Sequence, residues 1–184
     1  EGLQMQNSGG AAIHMRTDAL SFMAGDDKVL KNILIYGHAL TPGREEYAPM
    51  GPFAEDTVCF LSSWSDHIRA LPGEEKDGSI AGFGFWCRRA SLLQLKGGYT
   101  DVTSASSGGC FKGRGVCLQF VPSNIPALFA YSLAAALLAG NCVVSRLPSR
   151  CLWQMQVLID TLKRTLDEFP LFRSRIVRYC VEGH

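Results

Sequence analysis

Two stretches of sequence decide the fold of this chain: Val121-Pro-Ser-Asn-Ile-Pro126 and, one apolar segment later, Leu138-Ala-Gly-Asn-Cys-Val-Val-Ser-Arg-Leu-Pro-Ser149. The first follows the strand pattern of residues 116–121 and opens a helix at its last proline, because proline suits the first helical turn. The second ends that helix at its Gly-Asn pair and passes into a new strand pattern. Strand, helix and strand in this order predict one crossover unit of a parallel sheet. We call residues 121–126 the first elbow and residues 146–150 the second elbow.

Flanking segments extend this unit in both directions. Two helical patterns precede it at 53–71 and 77–96, and a Gly/Ser-rich segment at 97–115 is expected to be a loop. A helix at 152–169 and a third strand from 174 follow it. The expected fold class is therefore α/β, with a partial doubly wound parallel sheet preceded by helices.

Residues 1–52 have weaker patterns than the rest of the chain and are expected to form an N-terminal arm. Within them, residues 28–36 are compatible with a short strand or an amphipathic turn. The domain proper is expected to span residues 53–184.

The composition is that of an ordinary globular chain of one domain or slightly more. Hydrophobic residues make up 47% of the 184 positions and charged residues 19%, which excludes global disorder. A formal net charge of +1 gives no broad field for nucleic acid. The uncharged run at 125–144 is long enough to imitate a membrane span. However, its early proline and its Gly-Asn pair favour a buried helix of about 13 residues, so no span is expected.

The seven cysteines are an odd number without a C-x-x-C pair, and several lie in apolar runs. This pattern is typical of reduced thiols in a cytoplasmic protein. Neither the cysteines nor the four histidines have the spacing of metal ligands, so no metal site is expected. The first residue is glutamate rather than methionine, which suggests a fragment.

Two features allow both a structural and a functional interpretation. Gly108-Gly-Cys-Phe-Lys-Gly-Arg-Gly115 is rich in glycine like a phosphate loop, but phosphate loops follow a strand and open a helix, whereas this run precedes a strand. A hairpin or surface connection is therefore favoured. Asn124 lies beyond the carboxyl end of a predicted strand, where ligands of parallel sheets bind. Its amide suits helix N-capping as well as a ligand contact, and the spacing alone favours capping.

A compound pattern covers residues 80–150. Its parts are Phe83-Gly-Phe-Trp-Cys-Arg-Arg-Ala90, Gly113-Arg-Gly115, Pro122-Ser-Asn-Ile-Pro126, Phe129-Ala-Tyr-Ser-Leu133, Leu137-Leu-Ala-Gly-Asn141 and Arg146-Leu-Pro-Ser149. Together they resemble the acyl-CoA reductase family of bacterial bioluminescence, the fatty acid reductase component, within the aldehyde dehydrogenase superfamily. The resemblance implies an incomplete aldehyde dehydrogenase-like nucleotide-binding domain, with its helical lead-in and first half in residues 53–184.

The resemblance also implies a reaction. In this family a cysteine thiolate attacks a fatty acyl-CoA or acyl-protein thioester, and NADPH reduces the acyl-enzyme to a long-chain aldehyde. Asn124 would help hold the oxyanion through its amide N–H. Val121, Pro122 and Ser123 would line the nicotinamide side, and Arg146 would lie near the adenosine ribose and its phosphate. A homo-oligomer or a fatty acid reductase complex would be the assembled form.

Two departures from the family pattern limit these expectations. The second elbow is one residue longer than the superfamily's Lys-Pro-Ser-Glu, and a one-residue slip turns a strand side chain to the opposite face. The family's nucleophilic cysteine and general base follow the second elbow, in sequence that this chain does not contain. We therefore expect part of a cofactor site and part of an oxyanion hole, without independent catalysis. The alternative is a truncated, non-catalytic module that binds a nucleotide or a protein partner; a generic aldehyde dehydrogenase is disfavoured by the motifs.

Overall fold

A computed structural model describes residues 34–36, 49–105, 111–148, 152–173 and 175–180, with the backbone alone for 34–36, 101–105 and 177–180. The chain divides into two compact units, Glu1–Asn32 and Ile33–His184, and all described residues lie in the second. The described strands are β1 (Leu34–Tyr36), β2 (Val116–Phe120), β3 (Cys142–Leu147) and β4 (Ile176–Cys180). The described α-helices are α1 (Glu55–Arg69), α2 (Gly78–Trp86), α3 (Arg89–Ala105), α4 (Leu128–Leu138) and α5 (Trp153–Glu168), with 3₁₀ turns at Gly73–Glu75 and Pro170–Phe172.

The strands form one mixed sheet in the order β1-β4-β3-β2. β2, β3 and β4 are parallel, and β1 pairs antiparallel with β4. The register between β2 and β3 runs from Val116 opposite Cys142 to Phe120 opposite Arg146. The predicted α/β class and the parallel order of the three strands are confirmed. Of the strand and the amphipathic turn expected within residues 28–36, the structure shows a strand at Leu34–Tyr36.

One face of the sheet carries the helices. Gln119 Nε2 donates to Phe129 O of α4 at 3.0 Å, and Val143, Leu147 and Ile176 join the same core as α1, α4 and α5. Both crossovers step in the same direction along the sheet, and right-handed connections then place their helices on one face. The helical cover on both faces that defines a doubly wound sheet is not seen in the described residues and stays a prediction.

The lead-in helices differ from the sequence prediction in two places. The helix expected at 77–96 is two helices, because the chain turns at Cys87 and Arg88, where Cys87 is fully buried and Arg88 Nε donates to Phe85 O at 3.0 Å. The loop expected at 97–115 is wrong in its first part, since α3 continues to residue 105. Tyr99 packs on Phe53 and Phe111, with ring centroids 5.3 and 5.8 Å away. These contacts stabilise the helical conformation of the neighbouring Gly97 and Gly98.

The start of α2 is capped by Asp77. Its Oδ1 accepts from Ser79 N and Ile80 N, both at 2.9 Å, and its Oδ2 accepts from Gln154 Nε2 at 3.0 Å. Burial raises the pKa of the Asp77 carboxyl, but the donors at Ile80, Ser79 and Gln154 outweigh burial, so its pKa lies below the ordinary 3.8. The ionised cap therefore fastens α2 to α5.

This lowered pKa predicts the pH dependence of folding. A carboxyl whose pKa is lower when folded stabilises the fold fully above pH 3.8, and that contribution is lost as the pH falls through the lower folded pKa. Urea unfolding of Asp77→Asn, which keeps the capping acceptor but does not titrate, should show a flatter loss of stability in this acid range than wild type. If the stability of the two proteins fell equally steeply with decreasing pH, the assignment would be contradicted.

Candidate functional site

The two elbows meet at the carboxyl edge of the parallel sheet. Val121 N–H donates to Arg146 O at 3.0 Å, and Phe120 is paired with Arg146 in the register of β2 and β3. The first elbow therefore leaves β2 beside the last residues of β3. The structure brings the backbone of Val121 next to that of Arg146, and Pro122, Ser123 and Asn124 follow Val121 beyond the end of β2.

The exposure of these residues differs along the edge. Val121 is buried against the helical core, whereas Pro122, Ser123 and Asn124 are exposed. Arg146 is the exposed residue of an otherwise buried β3, and alternation along the strand places it on the sheet face away from α4. We call this edge the shelf: it exposes Pro122, Ser123, Asn124 and Arg146, while the side chain of Val121 packs into the core.

Asn124 does not cap the helix that follows it. α4 begins at Leu128, its N-cap residue is Ala127, and no side chain hydrogen-bonds to that cap. The turn before the helix is closed by the backbone instead, with Leu128 N donating to Ile125 O at 3.2 Å. The capping interpretation favoured by spacing is therefore wrong, and the Asn124 amide is exposed at the shelf.

Arg146 is the basic residue that the structure places at the shelf. Residues 102–159, which include both elbows, contain no Asp or Glu. None of the described ion pairs involves Arg146. A guanidinium without a competing carboxylate suits an anionic ligand such as a phosphate. The absence of Asp and Glu from residues 102–159 can be read from the sequence, but it is not part of any of the motifs.

The opposite, amino edge of the sheet is fixed by backbone contacts. Asn141 is 7% exposed, and its Oδ1 accepts from Arg114 N at 2.6 Å and Gly115 N at 3.2 Å. Gly115 has a φ of +107°, and a Cβ on Gly113 would lie 2.7 Å from Gly140 O. Residues 111–115 of the glycine-rich run thus lead directly into β2, in agreement with the expected connection rather than a phosphate loop. Residues 106–110 lie outside the described residues.

Among the cysteines with described side chains, none lies at the carboxyl edge. Cys142 is at the amino end of β3, where burial raises the pKa of its thiol despite nearby Arg175. Burial also raises the pKa of Cys87. Buried, protonated thiols are poor nucleophiles, so Cys87 and Cys142 are unsuited to attack a carbonyl. Cys59 lies in α1 and Cys117 is the second residue of β2, so neither is at the shelf.

Other classes of site find no support in the described part of the chain. No group of His, Cys, Asp and Glu side chains there could hold a metal ion. No described helix has both the length and the apolar character needed to cross a bilayer.

No model of a protein family matches the chain, and no characterised protein or solved structure is significantly similar to it. The resemblance to acyl-CoA reductases thus rests on the sequence motifs.

Proposed function

We propose that this chain is the cofactor-binding portion of a long-chain acyl-CoA reductase. The proposal is that a fatty acyl-CoA or acyl-protein thioester and NADPH meet at the shelf formed by the two elbows. The observation that carries the proposal is the pairing of the elbows, in which Val121 hydrogen-bonds to Arg146 beyond the ends of two parallel strands. Crevices at this edge are where parallel α/β sheets bind their ligands.

The residues at the shelf fit the chemistry of NADPH. Arg146 offers a guanidinium to the phosphate on the adenosine ribose, and none of the described ion pairs occupies it. At the side assigned to the nicotinamide, Val121 is a buried apolar residue at the end of β2, and the exposed Pro122 and Ser123 follow it. NADPH supplies the hydride for reduction of the acyl group, and the chain's own residues bind and orient it.

Asn124 is the proposed oxyanion donor. Its side chain is exposed at the shelf and does not cap α4, so the amide N–H is available to a carbonyl oxygen. One such donor typically lowers the barrier by about 3 kcal/mol. The reaction also requires a cysteine thiolate, which would come from outside the side chains described above.

Cofactor binding tests the proposal directly. Titration of the chain with NADPH and with NADH, followed by nucleotide fluorescence, should show tighter binding of NADPH. In Arg146→Gln, NADPH should bind about 10- to 100-fold more weakly, as expected for one charge-assisted contact of roughly 1.5–3 kcal/mol. Binding of NADH should change little, because it lacks the ribose phosphate.

The matched control is Arg164→Gln, which removes an exposed arginine from α5. It should bind NADPH as wild type does. Failure of wild type to bind either nucleotide would overturn the cofactor assignment, and equal losses in the two variants would overturn the role of Arg146.

Mass spectrometry after exposure to a reactive long-chain acyl thioester separates the two hypotheses left open by the sequence. Nucleotide binding without acylation supports a cofactor-binding portion that receives its nucleophile from elsewhere. Absence of both nucleotide binding and acylation favours a non-catalytic module. The cytoplasm, where thiols stay reduced, is the proposed location of the reaction.

A further inference from the structure

The turn between α2 and α3 carries a short basic sequence, Arg88-Arg89-Ala90-Ser91-Leu92. The first turn of α3 closes here, because Leu92 N–H donates to Arg88 O at 3.0 Å, and Ser91 is the third residue of the helix. Protein kinases select their substrates by the pattern of charge around the hydroxyl group. Two arginines at the second and third positions before a serine, with an apolar residue directly after it, form the pattern that basic-directed serine kinases recognise.

The first part of α3 is held to the rest of the fold by few side chains. Within residues 89–100, Leu92 is the one buried side chain, while Arg89 is exposed and Ser91 is partly exposed. The Ser91 hydroxyl donates to Phe85 O at 3.4 Å, a distance beyond the usual range of about 2.5–3.0 Å for such bonds. Segments with few buried contacts open locally at low free energy, so a kinase can reach this turn.

The surroundings of Ser91 suit a phosphate. The first turn of α3 contains no acidic residue, although the N–H groups and the dipole of a helix favour negative charge there. The third helical position is also where a capping box places its acidic side chain. Arg88 precedes Ser91 by three residues, and its guanidinium carbon stacks 3.3 Å from the centroid of the exposed Phe85 ring. A phosphate is a stronger partner for a guanidinium than an exposed ring, so Arg88 is the expected ligand.

We propose that Ser91 is phosphorylated by a serine kinase that recognises Arg88 and Arg89, and that the phosphate then pairs with Arg88 at the start of α3. In the transfer, the Ser91 oxygen attacks the terminal phosphorus of ATP and the bond from that phosphorus to the bridging oxygen breaks. ADP leaves, and the hydroxyl proton passes to the catalytic base of the kinase. The ion pair of Arg89 with Glu55 is exposed, and exposed pairs contribute little to stability, so this pair does not prevent recognition.

Incubation of the intact chain with a purified basic-directed serine kinase and ATP tests the proposal. Mass spectrometry with fragmentation should place a phosphate on Ser91. Arg88→Gln and Arg89→Gln should each slow the modification about tenfold or more, as expected for the loss of one charge-assisted contact with the kinase. Arg164→Gln is the matched control, because it removes an exposed arginine of α5, and it should be modified as fast as wild type.

A synthetic peptide of residues 84–96 identifies the cause of a negative result. Absence of phosphate on Ser91 in the intact chain would overturn the proposal. Modification of the peptide alone would then show that the fold hides the serine, and modification of neither would show that the sequence is not recognised. Equal rates for wild type and both arginine variants would also overturn the proposal.

Phosphorus NMR of the phosphorylated chain tests the pairing with Arg88. The second pKa of phosphoserine is about 6 in a free peptide. In the folded chain it should be lower, because the guanidinium and the helix N–H groups favour the dianion. In Arg88→Gln, phosphorylated to completion, it should move back towards the free value. An ordinary pKa in the folded wild type would overturn the pairing. The proposal does not depend on nucleotide binding, and Arg146→Gln should be phosphorylated normally on Ser91.

Discussion

Replacing Gly140 with alanine is expected to destabilise the fold by at least about 3 kcal/mol, a large part of the roughly 5–15 kcal/mol of a typical domain. Gly140 has a φ of +85°, which L side chains rarely adopt, and its new Cβ would overlap the backbone oxygen of Met50. Met50 cannot retreat freely, because its N–H donates to Gly140 O at 2.9 Å. Urea unfolding followed by circular dichroism would measure the change.

The same glycine terminates α4. Gly140 N–H donates to Leu137 O at 2.8 Å and Asn141 N–H donates to Ala136 O at 3.0 Å, which is the Schellman arrangement. Gly98→Ala is the control of opposite sign, because Gly98 lies within α3 with no atom within 4 Å of an added Cβ. It should stabilise by about 0.5–1 kcal/mol. Equal effects of the two substitutions would contradict the geometry assigned to Gly140.

The parallel unit could be predicted from the sequence because its signals are local. Short apolar runs bounded by glycine and proline fix β2 and β3, and β3 has the predicted bounds of Cys142–Leu147. The helix predicted at 152–169 is observed as Trp153–Glu168. The lead-in was less predictable, because the break at Cys87 and the helical state of Gly97 and Gly98 depend on tertiary contacts that periodicity does not contain.

The candidate site was predictable in position and unpredictable in detail. The carboxyl edge follows from the order of the strands, so the meeting of the first elbow with Arg146 could be expected. The state of Asn124 could not, because its spacing is compatible with capping and only the observed start of α4 excludes a cap. Asn141 was recognised only as part of a helix stop, since its bonds to Arg114 and Gly115 join segments about 26 residues apart in the chain.

Replacing Trp64 with alanine should cost about 3–5 kcal/mol, the range for large aromatic side chains in a core. Trp64 is fully buried in α1 and packs edge-on against Phe83, with ring centroids 4.7 Å apart. Its Nε1–H donates to Thr161 Oγ1 at 3.0 Å, so it joins α1 to both α2 and α5. Because α1 and α5 share the core with the sheet, the loss should lower the thermal midpoint of the whole described unit in one transition.

Thr161→Val separates the hydrogen bond from the packing. Valine has nearly the same shape as threonine but leaves the Trp64 N–H buried without an acceptor, a loss of about 1–3 kcal/mol. Trp153→Ala is the control for removal of a tryptophan, since Trp153 is 50% exposed at the start of α5 and should change stability by less than about 0.5 kcal/mol. If Trp153→Ala cost as much as Trp64→Ala, the core would not be centred on α1. If Thr161→Val were neutral, packing alone would account for the contribution of Trp64.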